Sequence, residues 1–114
     1  MLVVEDEFLI AMDLQLILEA AGWRVLGPAA TVRGALLLLD DEMPSVALLD
    51  VNLGNEPVTA VAEALSALNI PFAVASAYDD PERFGGEVLA GVPNVGKPTG
   101  RRRLLATLEQ LTEA

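Results

Sequence analysis

Five positions along the chain combine side-chain type and spacing in a way that could support chemistry. Two acids are adjacent at Glu5 and Asp6. A third acid, Asp50, closes an apolar run, and a hydroxyl, Ser76, closes another. The only lysine, Lys97, stands between Gly96 and Pro98. If the fold gathers the three carboxylates they repel one another, and their pKa values rise unless a cation sits among them. An all-oxygen set of this kind suits a hard divalent ion, Mg²⁺ (or Mn²⁺). Asp50 can then be a nucleophile as well as a ligand. A carboxylate with a reference pKa of about 4 is already ionised at neutral pH and needs no base to activate it. Its natural reaction partner is a phosphoryl group, whose transfer depends on positioning and on neutralising the equatorial oxygens. A divalent ion, the Lys97 ammonium and the Ser76 hydroxyl would each serve one of those oxygens.

Composition leaves this chemistry standing and removes much else. The 114 residues contain neither His nor Cys, which excludes a thiol nucleophile, the usual zinc sites, a Ser-His-Asp triad and a disulfide framework. Seventeen acids against seven bases give a net charge of −10, opposing direct contact with nucleic acid. The excess is uneven, −7 over residues 1–50 and −3 over residues 51–114. No apolar run has the length of a membrane span, and the N-terminus does not read as a signal peptide, so a cytoplasmic location is expected. With 53% hydrophobic but only 4% aromatic residues, the core must be aliphatic.

The elements that would position these groups alternate short apolar runs with amphipathic ones, the pattern of βα units around a parallel sheet. Leu2–Val4 reads as a buried strand, followed by a helix over 8–21 that carries Ile10, Leu14, Ile17, Leu18 and Ala21 inward and stops at Gly22. A second strand starts at 24–26 and runs out near Gly27-Pro28. A second helix, capped by Thr31, runs to about Glu42. Val46–Asp50 is a third strand, and Pro57 opens a third helix with a stripe of Val58, Val61, Ala62, Leu65 and Leu68. The fourth strand is Phe72–Ser76. Asp80-Pro81-Glu82 opens a fourth helix that Gly85-Gly86 keep short or irregular, so residues 79–90 should exchange amides quickly. Val92–Val95 supplies a fifth strand, and Thr99 caps a last helix with Leu104, Leu105, Leu108 and Leu111 inward. The fold class is therefore α/β: a flavodoxin-like (βα)5 doubly wound parallel sheet, strand order 2-1-3-4-5, in one domain over residues 1–114. Such sheets place functional groups at the carboxyl ends of their strands, where Glu5, Asp6, Asp50, Ser76 and Lys97 fall.

The runs Leu2-Val3-Val4-Glu5-Asp6-Glu7, Leu48-Leu49-Asp50-Val51-Asn52, Ala75-Ser76-Ala77 and Lys97-Pro98 resemble those of a two-component response-regulator receiver domain (CheY-like), over essentially the whole chain. The resemblance implies that Asp50 is the phosphoacceptor, that Glu5 and Asp6 serve the metal, and that Ser76 and Lys97 contact the phosphate. It also implies that the backbone carbonyl of Asn52 is a further metal ligand and that the Lys97–Pro98 peptide is cis. Receivers of the common type carry Tyr or Phe three residues before the lysine, where this chain has Asn94. Pro71 to Tyr78 is similar instead to the atypical FAT GUY group, often stand-alone receivers that lack the aromatic switch. Val74 here stands for the Phe, Ser76 for the Thr and Ala77 for the Gly.

Each feature also has a plainer reading. Glu5-Asp6-Glu7 could be an acid-rich helix start favoured by the helix dipole, with Glu7 the residue that best fits that role. Asp50 could be a cap, Ser76 an ordinary strand-end serine, and Trp23 a packing residue at a helix–strand junction. Arg101-Arg102-Arg103 reads as a solvated face, or as a contact for an acidic partner. Leu36–Leu39 circles one helical turn, so at least one leucine must be exposed, with a partner or dimer contact as the alternative. The expected function is a phosphorelay receiver fed by a histidine kinase or histidine phosphotransfer protein. It would signal to a downstream protein target by contact or act as a phosphate sink, with no catalysis beyond its own phosphorylation and dephosphorylation. The alternative is a pseudo-receiver, an interaction module that is not phosphorylated. A flavin- or nucleotide-phosphate binder would need a Gly- or Ser/Thr-rich first loop, and a haloacid-dehalogenase-like phosphatase would show Asp-x-Asp where this chain has Asp50-Val51-Asn52.

Overall fold

A computed structural model describes residues 1–53, 56–76, 87–97 and 99–112, with backbone alone for Asn52, Glu56 and Glu87. Four parallel strands form the sheet: β1 (Leu2–Val4), β2 (Leu26–Ala29), β3 (Ala47–Asp50) and, after a short hairpin and a helix, β6 (Phe72–Ala75). Their order is β2-β1-β3-β6. The hairpin pairs β4 (Asn52–Leu53) antiparallel with β5 (Glu56–Pro57). Among the described residues the helices are α1 (Phe8–Ala20), α2 (Val32–Asp41), α3 (Thr59–Ala67) and α4 (Arg101–Thr112), with a 3-10 turn at Glu87–Leu89.

Period-two alternation sends successive strand residues to opposite layers, which is why these strands are apolar on both faces. Val3, Leu48, Ala73 and Ala75 pack with Leu14 and Leu18 of α1 and with Leu104 and Leu108 of α4. Leu2, Val4, Leu49 and Val74 pack on the other side with Ala35 of α2 and with Val61, Ala62 and Leu65 of α3. The result is a doubly wound sheet whose core is aliphatic, as the composition requires.

Helix ends follow local chemistry. Thr31 Oγ1 accepts from the Gly34 amide at 3.0 Å, capping α2 as expected. At the end of α1, Gly22 adopts φ +95°, its amide donates to Glu19 O, and the Trp23 amide reaches back to Leu18 O. This is a Schellman motif, and the half-buried Trp23 packs at the same junction. Asn69, at φ 58°, performs the same turn after α3, with the Ile70 amide bonded to Leu65 O.

Several expectations need correction. β2 begins at Leu26 and runs through Gly27-Pro28 to Ala29, because a bulge between the Leu2↔Leu26 and Val4↔Ala29 pairs absorbs the extra residue. Pro28 is tolerated on this edge strand, where its missing N–H has no ladder partner to serve. Pro57 does not open α3 but pairs with Asn52 in the hairpin. Val58 precedes the helix, its amide bonded to Val51 O. Ala21 and Leu68 are exposed and do not join the inward stripes, whereas Ile10, Ile17, Leu105 and Leu111 are half-buried at the margin of the core. The fifth strand is a single parallel bridge, Val74↔Asn94, on the expected edge of the sheet. Pro93 has no amide hydrogen, and Gly96 at φ +81° turns the chain away. Thr99 does not cap α4: its hydroxyl donates to Gly96 O at 2.8 Å, and Gly100 O accepts the first helical bond from Leu104. The fourth helix expected after Asp80 and the Lys97–Pro98 peptide lie outside the described residues, except for the 3-10 turn.

Candidate functional site

Parallel register places the site. Val4 pairs with Leu49 and Asp50 with Ala75, so Glu5, Asp50 and Ala75 are level across three neighbouring strands. Asp6 and Ser76 lie one residue further on. Because α1 and α2 both start beyond these strand ends, the polar groups emerge at the carboxyl edge while the apolar residues before them remain in the core. Glu5, Asp50 and Ser76 are the buried polar residues of the described chain, and Asp6 is exposed.

The carboxylates converge. Glu5, Asp6 and Asp50 each present an oxygen, and these oxygens lie within 4.8 Å of one another. The Lys97 ammonium, carried by the segment that follows the bridge to β6, lies 3.2 Å from Asp50 Oδ2 and 3.3 Å from Glu5 Oε1. The Glu7 amide donates to Glu5 Oε2 at 3.2 Å, so Glu7 contributes backbone at the helix start. Asn52 follows Asp50 in β4 opposite Pro57, which has no N–H to donate to its carbonyl across the hairpin.

Among the described residues, one cation, Lys97, faces an excess of acid. Burial, then the neighbouring Asp50, raises Glu5 from an ordinary 4.5 to about 7. Burial also raises Asp50, despite hydrogen bonding with Glu5 and the attraction of Lys97. Burial alone would lower Lys97, but Asp50 and Glu5 outweigh it and hold the ammonium above its usual range. The three acids fit a hard divalent cation: they supply only oxygen donors, and Lys97 does not neutralise them all.

Two groups were not singled out as site residues from sequence. Asn94 Oδ1 accepts from the Ser76 amide at 3.1 Å and from the Gly96 amide at 2.9 Å. Arg103 Nη2 donates to the Asn94 carbonyl at 2.7 Å, giving one member of the Arg101–Arg103 run a structural contact while all three remain exposed. The available signal was Asn94 two residues before a glycine, the spacing of an Asx turn. Beside the site, α1 exposes Phe8, Leu9, Met12 and Leu16 on one apolar strip, and α2 exposes Leu37. Among the described residues no helix is long and apolar enough to cross a membrane.

No family model matches the chain. Over 86 residues it is 37% identical to the phyllosphere-induced regulator PhyR of Methylorubrum extorquens, a match covering 73% of this chain and 32% of that protein. In structure it is similar to the response regulator PhyR from Brucella abortus, with a TM-score of 0.81 and 34% identity over 97% of this chain and 46% of that one. It is also similar to SdrG from Pseudomonas melonis in its BeF3-activated conformation, with a TM-score of 0.78 and 39% identity over 98% of this chain and 94% of that one. The chain spans less than half the length of the two PhyR proteins. The chain belongs to the response-regulator receiver family.

Proposed function

We propose that residues 1–114 form a phosphorylation-dependent receiver in a two-component phosphorelay, with Asp50 accepting a phosphoryl group from a histidine kinase or histidine phosphotransfer protein. The observation that carries this reading is the placement of buried Asp50 between an acidic pair and the Lys97 ammonium, 3.2 Å away. These residues hold no histidine, so a donor phosphohistidine must lie outside them.

In the transfer, an Asp50 carboxylate oxygen attacks phosphorus as the bond from phosphorus to the donor nitrogen breaks. The leaving imidazole ends protonated, and an aspartyl phosphate remains. Lys97 neutralises one equatorial oxygen and fixes the orientation of Asp50, while Ser76, one residue beyond the level of Asp50, supplies a hydroxyl donor. Glu5, Asp6, Asp50 and the Asn52 carbonyl would hold Mg²⁺ (or Mn²⁺), which supplies charge neutralisation for the phosphoryl oxygens when bound. Hydrolysis by water returns the carboxylate, so the chemistry is confined to the protein's own acyl phosphate. The existence of a BeF3-activated conformation of SdrG supports the reading, since a beryllium trifluoride bound to a carboxylate has the tetrahedral shape of a phosphoryl group. Output passes by contact to a downstream protein target, or the domain serves as a phosphate sink.

Asn94 at the aromatic position favours a second reading, a pseudo-receiver that is never phosphorylated. Incubation with Mg²⁺ and acetyl phosphate, followed by mass spectrometry, separates the two. An adduct at Asp50, absent with chelator and in Asp50→Asn, supports the receiver. No adduct with acetyl phosphate or with a cognate kinase rejects it.

A further inference from the structure

The segment carrying Lys97 is held to the sheet by little backbone pairing, and the side chain of Asn94 supplies what is missing. At the Val74↔Asn94 bridge the Val74 amide donates to Pro93 O and the Val95 amide donates to Val74 O, both at 2.9 Å. In a parallel ladder the next bond in this series would run from the Ser76 amide to the carbonyl of Val95. The chain has already begun to leave the sheet there, as Gly96 turns at φ +81°. The Ser76 amide is bonded instead to Asn94 Oδ1, which also accepts the Gly96 amide. One side-chain oxygen thus extends the ladder by a rung and closes an Asx turn. The backbone carbonyl of Asn94 points away from β6 and accepts from Arg103 in the first turn of α4. The hydroxyl of Thr99, bonded to Gly96 O, closes the other side of the Lys97 loop.

We infer that Asn94 is a positioning residue for phosphoryl acceptance: its side-chain oxygen fixes Ser76 and the Lys97 loop relative to each other, and its carbonyl ties both to α4. The inference rests on the receiver reading for its functional consequence and on geometry for the clasp itself. Ser76 and Lys97 come from different segments but must reach oxygens of one phosphoryl group, so relative drift of about 1 Å between them would slow transfer markedly. A Tyr or Phe at position 94 could not make this clasp, because neither ring carries an acceptor on a two-carbon arm. Coupling here runs through hydrogen bonds rather than through the rotation of a ring.

The test compares wild type, Asn94→Ala and Asn94→Asp, the last retaining an acceptor oxygen in the same place. Amide exchange is followed by NMR, Mg²⁺ affinity by titration, and Asp50 phosphorylation by acetyl phosphate in saturating Mg²⁺. In Asn94→Ala the Ser76 and Gly96 amides should exchange at least about tenfold faster while amides of α1 and α3 keep their protection. Mg²⁺ affinity should stay within about twofold, since the residues proposed to hold it follow β1 or lie on β3 and β4, and phosphorylation should slow by about tenfold or more. Asn94→Asp should restore protection of both amides. Unchanged protection in Asn94→Ala, lost protection in Asn94→Asp, or lost protection with an unchanged phosphorylation rate would each overturn the inference. A wild type that takes no phosphoryl group rejects the receiver reading, and the exchange data alone then decide whether the clasp exists.

Discussion

The Glu5 carboxylate, only 3% exposed, is packed beside the Asp50 carboxylate at the ends of two neighbouring strands, and burial lifts its pKa to about 7. Between its unfolded value of 4.5 and this folded value, the native state binds more protons than the unfolded chain. Stability of the cation-free protein from this group is therefore full below about pH 4.5 and declines as pH rises toward about 7. Asp50, raised in the same direction, adds to the trend. Melting temperature measured in chelator should fall between about pH 5 and pH 7.5, and Mg²⁺ should flatten the fall. A melting temperature that rises over this interval in chelator would contradict the electrostatic account.

Glu5→Gln follows from the same crowding. Removing one buried charge while keeping the shape should stabilise the cation-free protein at pH 7.5 by about 1–2 kcal/mol, because Lys97 then faces fewer competing acids. The gain should be accompanied by a loss of Mg²⁺ affinity of tenfold or more, as a ligand disappears. Calorimetry with and without Mg²⁺ reads both effects.

Lys97→Met should act in the opposite sense. It leaves Glu5 and Asp50 without the ammonium that lies within 3.3 Å of each, at a cost of about 2 kcal/mol for this partly exposed cation. Urea unfolding in chelator should show the loss, and Mg²⁺ should recover part of it. Phosphorylation should stay impaired even in saturating Mg²⁺, because the orienting contact to Asp50 is gone.

Two glycines with the same φ of +95° should respond differently to alanine. A Cβ at Gly22 meets nothing within 4 Å, so Gly22→Ala carries only the left-handed penalty of roughly 1–2 kcal/mol. At Gly27 the added carbon would lie 2.7 Å from Ala29 N and 3.2 Å from Val3 O, both backbone atoms that cannot swing aside. Gly27→Ala should therefore cost at least about 3 kcal/mol. It should also disturb the Glu5 amide bond to Ala29 O at 2.9 Å, weakening Mg²⁺ binding.

The strands β1, β3 and β6 and the polar residues that end or follow them, Glu5, Asp6, Asp50 and Ser76, were legible in the sequence because a local rule sets them: an apolar run buried on both faces, then a polar residue. The strand order and the place of Lys97 beside the acids came with the doubly wound fold and the receiver resemblance. What escaped is decided by geometry between segments. Nothing in Gly27-Pro28 says that a bulge carries β2 on to Ala29. Pro57 fits a helix start on propensity, but the pairing of Asn52 with it draws it into a hairpin. Thr99 has the right chemistry for a cap, yet its hydroxyl finds Gly96 O first. The role of Asn94 depends on where β6 ends relative to the turn at Gly96, a register that residue types do not encode.

The position of Lys97 has a practical consequence for handling the protein. It is the only lysine of residues 1–114, so within them an amine-directed reagent that reaches a side chain is aimed at the space between Glu5 and Asp50. Coupling to a carboxymethyl surface or acylation with a fluorescent ester would obstruct the acid cluster itself, while the raised basicity of the ammonium slows both reactions. Reductive methylation with labelled formaldehyde would instead install one spectroscopic reporter there, in a spectrum with no other lysine to assign.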